Sequence, residues 1–113
     1  MKVLATPKIH DYLDDLVTVL YENGYFGFED FAIDYVNDLI DFIITRMPTS
    51  LQRPAPKYYE KYGEKLKYTV YRRSKNTHWY IFFNKYKDKG EIIYMVRYIG
   101  NNHTDAHHLD ISL

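Results

Sequence analysis

The order of sequence patterns predicts one α+β domain, with two N-terminal antiparallel helices packed on one face of a small antiparallel β-meander of three to four strands. Two observations lead there. Apolar residues recur at helical spacing in two stretches of the first half, with Gly24 and Gly27 between them. Three aromatic and β-branched runs, separated by short polar turns, fill the second half. A length of 113 residues fits a single domain spanning 1–113, with a modest core.

Met1–Ala5 (MKVLA) is a short apolar run suited to a strand. Thr6-Pro7 then reads as a helix start, with Thr as N-cap and Pro at the first position, where a missing N–H costs nothing. Ile9, Leu13, Leu16, Val17 and Leu20 follow at helical spacing, and Gly24 suits the left-handed position past the helix end near Glu22–Asn23. The second stripe is Phe28, Phe31, Ala32, Tyr35, Val36, Leu39, Ile40 and Ile43. Glu29, Asp30, Asp34, Asp38 and Asp41 lie mostly opposite it, and the early acids suit the positive helix start. Met47-Pro48 stops it.

Residues 48–57 (PTSLQRPAPK) hold three of the four prolines and have neither period, so they read as a linker inside the domain. Tyr58–Glu64 is ambiguous, with Gly63 marking a turn. Leu66–Arg73, His78–Tyr86 and Glu91–Ile99 are the three strands, joined by Ser74–Thr77 and by Lys87–Gly90, a hairpin signal ending in Gly. Helices are expected on one sheet face, leaving the other free. Alternation puts Lys67, Thr69, Tyr71 and Arg73 on the more polar, open face, and Arg97 on the side of Ile93, Met95 and Ile99, opposite Ile92, Tyr94 and Tyr98.

Charge divides the chain. Residues 1–52 carry three basic residues against nine acids, a net of −6, whereas residues 53–98 carry twelve against four, a net of +8. The tail adds two acids, so the total is zero. Such an asymmetry fits a basic surface for an anionic partner on an acidic body, and equally fits lysines that solvate strand edges. Thirteen tyrosines, with an apolar ring and a polar tip, suit half-exposed sheet faces and binding surfaces alike. A basic and aromatic sheet face can hold phosphates by charge and bases by stacking.

With no cysteine, a disulfide scaffold and Cys-ligated zinc are excluded. No secretory leader is evident and no apolar run approaches about 18 residues, so a soluble, cytoplasmic protein without membrane contact is expected. G-x-x-x-x-G-K-[ST], G-x-G-x-x-G and G-x-S-x-G are all missing, which leaves nucleotide-binding and serine-hydrolase readings without support. The tail GNNHTDAHHLDISL gathers His103, His107 and His108 within six positions. Imidazoles near a phosphate-binding Arg suit acid or base work. His103 and His107 have the spacing of metal ligands on a helix, but no third ligand accompanies them, so no metal or other cofactor is assigned.

Tyr71-Arg72-Arg73, the run Trp79–Phe83 and Met95-Val96-Arg97-Tyr98-Ile99-Gly100, following a strand and two helices, resemble the RelE/ParE superfamily of bacterial type II toxins. The resemblance implies a toxin neutralised by a cognate antitoxin. RelE-like members cut mRNA on the ribosome without a metal, whereas ParE-like members inhibit DNA gyrase. Carried over, Arg73 with His103 and His108 would be catalytic, and Arg72, Lys75, Arg97, Asn102 and His107 would bind substrate. The family's Arg after the last strand's Gly is replaced here by Asn101. The resemblance leaves open an inactive nucleic-acid- or protein-binding member of the fold, and also a homodimer.

Overall fold

Trp79, Ile81 and Phe83 point to one side of the longest strand while Tyr80 and Phe82 point to the other, and all five are buried. A strand apolar on both sides needs a cover on both, and the architecture supplies two. The computed structural model describes residues 1–24, 27–105 and Leu109. Its sheet has five strands: β1 (Lys2–Ala5), β2 (Arg53–Pro54), β3 (Lys67–Ser74), β4 (Thr77–Asp88) and β5 (Glu91–Asn101), in the order β1-β5-β4-β3-β2. Helices α1 (Pro7–Glu22) and α2 (Glu29–Asp41) lie between β1 and β2 in the chain.

The α+β class holds, but the sheet is not an antiparallel meander of three or four strands. β3, β4 and β5 form the expected meander. β1 joins it parallel to β5, pairing Lys2 with Ile93 and Ala5 with Val96, and β2 adds a two-residue antiparallel edge. The proline-rich linker supplies that edge because Pro54, which lacks a ladder donor, is tolerated there.

The helix signals are realised closely. The Thr6 hydroxyl accepts from the Ile9 N–H at 3.4 Å with Pro7 at the first helical position. Asn23 caps the end and Gly24 follows at φ +76°. α2 ends in a π turn at Phe42–Arg46 and a 3₁₀ turn at Met47–Thr49. Ile9, Leu16, Val36, Leu39, Phe42 and Ile43 cover Trp79, Ile81 and Phe83. Phe28 and Phe31, expected in the apolar stripe, are instead exposed at the start of α2 and pack edge-on with centroids 5.7 Å apart.

The two sheet faces are assigned the other way round from the sequence expectation, and neither is free. Tyr71 lies under the helices, stacked on Phe42 at 4.7 Å, and Arg73 joins α2 through Asp38. Thr69 is buried and donates to the Leu51 carbonyl at 2.9 Å. The face expected to be open is therefore the helix face. The far face, with Tyr68, Tyr80 and Phe82, is covered by the 3₁₀ segment Lys57–Tyr62 through Tyr59, and by Leu109. Tyr59 stacks on Phe82 at 4.2 Å and Tyr62 on Tyr98 at 4.1 Å.

Asp105 fastens this second cover. Its buried carboxylate accepts from the Tyr59 hydroxyl at 3.0 Å, the Tyr98 hydroxyl at 3.1 Å, the Thr104 hydroxyl at 2.7 Å and the Asn101 N–H at 3.2 Å. Four donors replace the water that a buried carboxylate would otherwise lose. The group sits so close to Gly100 that a Cβ there would fall on the carboxylate oxygens. Hence Gly100→Ala should cost about 1–3 kcal/mol by overpacking, and Asp105→Ala roughly 3 kcal/mol by orphaning its donors. In chemical denaturation the double variant should lose clearly less than the sum, because the clash disappears with the carboxylate. Simple additivity would contradict the packing described.

Candidate functional site

The eight residues singled out in the sequence do not converge. His107 and His108 lie outside the described residues. The other six divide between the two faces and the strand ends, and two of them, Arg73 and Arg97, are the extra residues of β-bulges.

Arg73 is the extra residue of the first bulge, between the pairs Arg72–His78 and Ser74–Thr77. It lies on the helix side with Tyr71, where it bonds the Asp38 carboxylate and holds its guanidinium 4.7 Å above the Tyr35 ring. The Tyr71 hydroxyl and the Asp38 charge hold its pKa above the usual value, so it is a fixed, partnered cation. Arg97 is the extra residue of the second bulge, between Phe82–Tyr98 and Phe83–Val96. This irregularity splits Tyr94 and Tyr98, expected together, onto the helix face and the far face respectively. Arg97 donates through Nε to the Asn84 side-chain oxygen Oδ1 at 2.6 Å. Asn84 is six residues along β4 from His78, roughly 20 Å at strand rise. Arg97 therefore cannot share a phosphate with Arg72.

Asn102 is a staple. Its side chain accepts from the His78 N–H at 2.9 Å and donates to the Asn76 carbonyl at 3.0 Å, while its own N–H donates to the His78 carbonyl at 3.0 Å. It ties the end of β5 to the β3–β4 turn. Lys75 is exposed in the same turn. His103 is exposed, in a turn built by the Asn101 side chain, which accepts from the His103 N–H at 2.9 Å.

Two places remain with chemical character. The first is on the far face at the end of β3. Arg72 lies directly across from His78, and Tyr80 follows two residues on along the same side. Arg72 is exposed, while His78 and Tyr80 are buried. Among the described residues, neither His78 Nδ1 nor the Tyr80 hydroxyl has a hydrogen-bond partner. Burial, with Tyr68 and Asp105 nearby, raises the Tyr80 pKa against a smaller opposing pull from Arg72. Arg72 also lines a cleft of about 170 Å³ with Ser50, Arg53 and Tyr68. The sequence expectation missed His78 because the faces were exchanged. Counting inward from the two-residue turn Lys75-Asn76 would place His78 opposite Arg73, and only the bulge at Arg73 makes Arg72 its partner.

The second is a cleft of about 400 Å³ on the helix side, between α1, Tyr35 and the strand ends. Tyr12, Tyr35 and Trp79 form its aromatic wall, Leu16, Val19 and Leu20 its apolar one, and Asp15, Asn23 and His103 contribute polar groups. Trp79 Nε1 donates to the Tyr35 hydroxyl at 2.8 Å, and the two rings meet at 65°. Burial, then the Asp105 charge, pushes the Tyr12 pKa up to about 12. Among the described residues no group of three or more His, Asp or Glu side chains is placed to hold a metal ion.

The raised Tyr12 pKa has a defined sign. Below pH 10 both folded and unfolded forms keep the phenol proton; between about 10 and about 12 only the folded form does, so stability falls as pH rises through that window. Denaturation at stepped pH should be flat in this contribution below 10 and fall above it, and Tyr12→Phe should flatten part of the fall. An unchanged slope in that variant would contradict the assignment. No protein-family model, curated protein or solved structure matches the chain.

Proposed function

We propose that the chain is a RelE/ParE-like toxin of the RelE type, an endoribonuclease acting on ribosome-bound mRNA, with its site on the far face and not at Arg73. One observation carries the reading: Arg72, exposed at the end of β3, stands across the ladder from the buried imidazole of His78, whose Nδ1 has no partner among the described residues. The order of one strand, two helices and a meander also supports it. In this reading Arg72 and Arg53 hold the scissile phosphodiester by charge-assisted bonds. The ribose 2′-hydroxyl attacks phosphorus, and the 5′-oxygen leaves. His78, with His107 or His108, moves the protons, and Arg72 meets the charge that develops on the phosphoryl oxygens. Arg73 keeps a structural role through Asp38.

The protein partner would be a cognate antitoxin, and the site of action the cytoplasm. Exposed Val19, Tyr21, Phe28 and Phe31 around the junction of α1 and α2 favour a protein partner of some kind. Among the described residues no helix is long and apolar enough to cross a membrane.

Growth inhibition and cleavage of ribosome-bound mRNA should be measured for the wild type, Arg72→Ala and Arg73→Ala. Loss of Arg72 should lower cleavage by about 10²–10³-fold and relieve toxicity. Loss of Arg73 should leave cleavage largely intact and cost about 1 kcal/mol of stability, the scale of a part-exposed ion pair. Equal toxicity of Arg72→Ala and wild type would sink the site. Intact mRNA together with blocked supercoiling would transfer the protein to the gyrase-directed, ParE-like reading.

A further inference from the structure

The helix-side cleft is separate from the far-face site and has chemistry of its own. Its floor is an aromatic corner: Trp79 and Tyr35 meet nearly edge to face and are fixed by the indole N–H bond to the Tyr35 hydroxyl. Tyr12 adds a third ring, and Asp15, exposed on α1, stands at the lining with its carboxylate. No lysine or arginine is among the lining residues. Indole and phenol faces carry negative potential and attract cations, most strongly where water is displaced. The same wall already receives one guanidinium, since Arg73 lies over the Tyr35 ring with Asp38 as its counter-ion. The surrounding helices add to the field, because residues 1–52 carry a net charge of −6. Leu16 and Val19 provide an apolar wall suited to a methylene stem rather than to a bare ion.

We infer that this cleft is a receptor for an arginine or lysine side chain presented by a basic segment of a partner protein, with the stem against Leu16 and Val19, the charged head against Tyr12, Tyr35 and Trp79, and Asp15 as counter-ion. The volume, about 400 Å³, accommodates one such side chain with part of its backbone. A small hydrated metal ion fits less well, since one carboxylate amid aromatic rings offers too few oxygen ligands. An acidic segment is disfavoured by Asp15 and the helical field. The inference does not rest on the ribonuclease reading and would hold for a chain with no catalytic activity.

Trp79 is the sole tryptophan, so its emission reports on the cleft directly. The intact protein would be titrated with a short arginine-containing peptide and with its citrulline counterpart, which keeps the shape and loses the charge. A saturable change in emission with the arginine peptide is expected, about tenfold tighter than with citrulline. Asp15→Asn, a change at an exposed position, should weaken the arginine peptide several-fold and leave the citrulline peptide unaffected. Added salt should weaken the first alone. Equal affinity for the two peptides would overturn the assignment in favour of a purely apolar groove. Absence of any saturable change in Trp79 emission would overturn it altogether. A mutant-independent response, with Asp15→Asn binding like wild type, would remove Asp15 as the counter-ion. None of these outcomes depends on mRNA cleavage, which should be the same in Asp15→Asn and wild type.

Discussion

Burial of β4 on both faces is the constraint from which the other elements follow. Tyr80, Ile81, Phe82 and Phe83 have no measurable exposure, so apolar surface points both ways and each side needs its own cover. α1 and α2 supply one cover with regular amphipathic stripes. The other cannot be a helix pair, because the chain between α2 and β3 is short and rich in proline. It is assembled from a 3₁₀ segment and one leucine of the tail, and tyrosines do the work that leucines do under the helices. Tyrosine suits this second layer because each ring fills space while its hydroxyl can be tied to a common acceptor, which here is Asp105.

That arrangement explains why the tyrosine count is high and why it did not signal an open binding surface. Tyr59, Tyr62, Tyr68, Tyr80 and Tyr98 pack with one another, with Phe82 and with Leu109. The buried carboxylate sets their chemistry. Burial first, and the Asp105 charge second, raise the pKa of Tyr59 and Tyr98 above the ordinary phenol range, which keeps both as donors at neutral pH. The positions that hold a ligand-like character are those left over when both covers are complete: the rim at Arg72 and His78, and the cleft beside Trp79.

Local signals in the chain were legible wherever the cause was local. Thr6-Pro7, Gly24 and the Lys89-Gly90 turn, where both residues have positive φ between Asp88 and Glu91, act through neighbouring backbone atoms and can be read in order. What was hidden depended on distance or on a count of two. The bulge at Arg97 inserts one residue and reverses the alternation after it, so Tyr98 and Ile99 exchange sides. The faces of β3 were exchanged because its more polar row, Thr69 and Tyr71, is the one packed under the helices. Asp105 has local donors in Thr104 and Asn101, but its role as an anchor was hidden because Tyr59 and Tyr98 are brought to it only by the finished sheet. Asn102, expected to touch substrate, is bonded instead to the backbone of His78 and Asn76, partners that only the folded sheet brings near.

The parallel pairing of β1 with β5 bears on how the molecule is made. Residues 2–5 have their ladder partners in residues 93–96, far along the chain. During synthesis at about 5–20 residues per second, the helices and the β3–β4 hairpin can form while the first strand has no partner. The parallel ladder of β1 can close only after β5 has been made. Until then β1 is a strand without its ladder partner, so the nascent form carries an edge on which another chain could add.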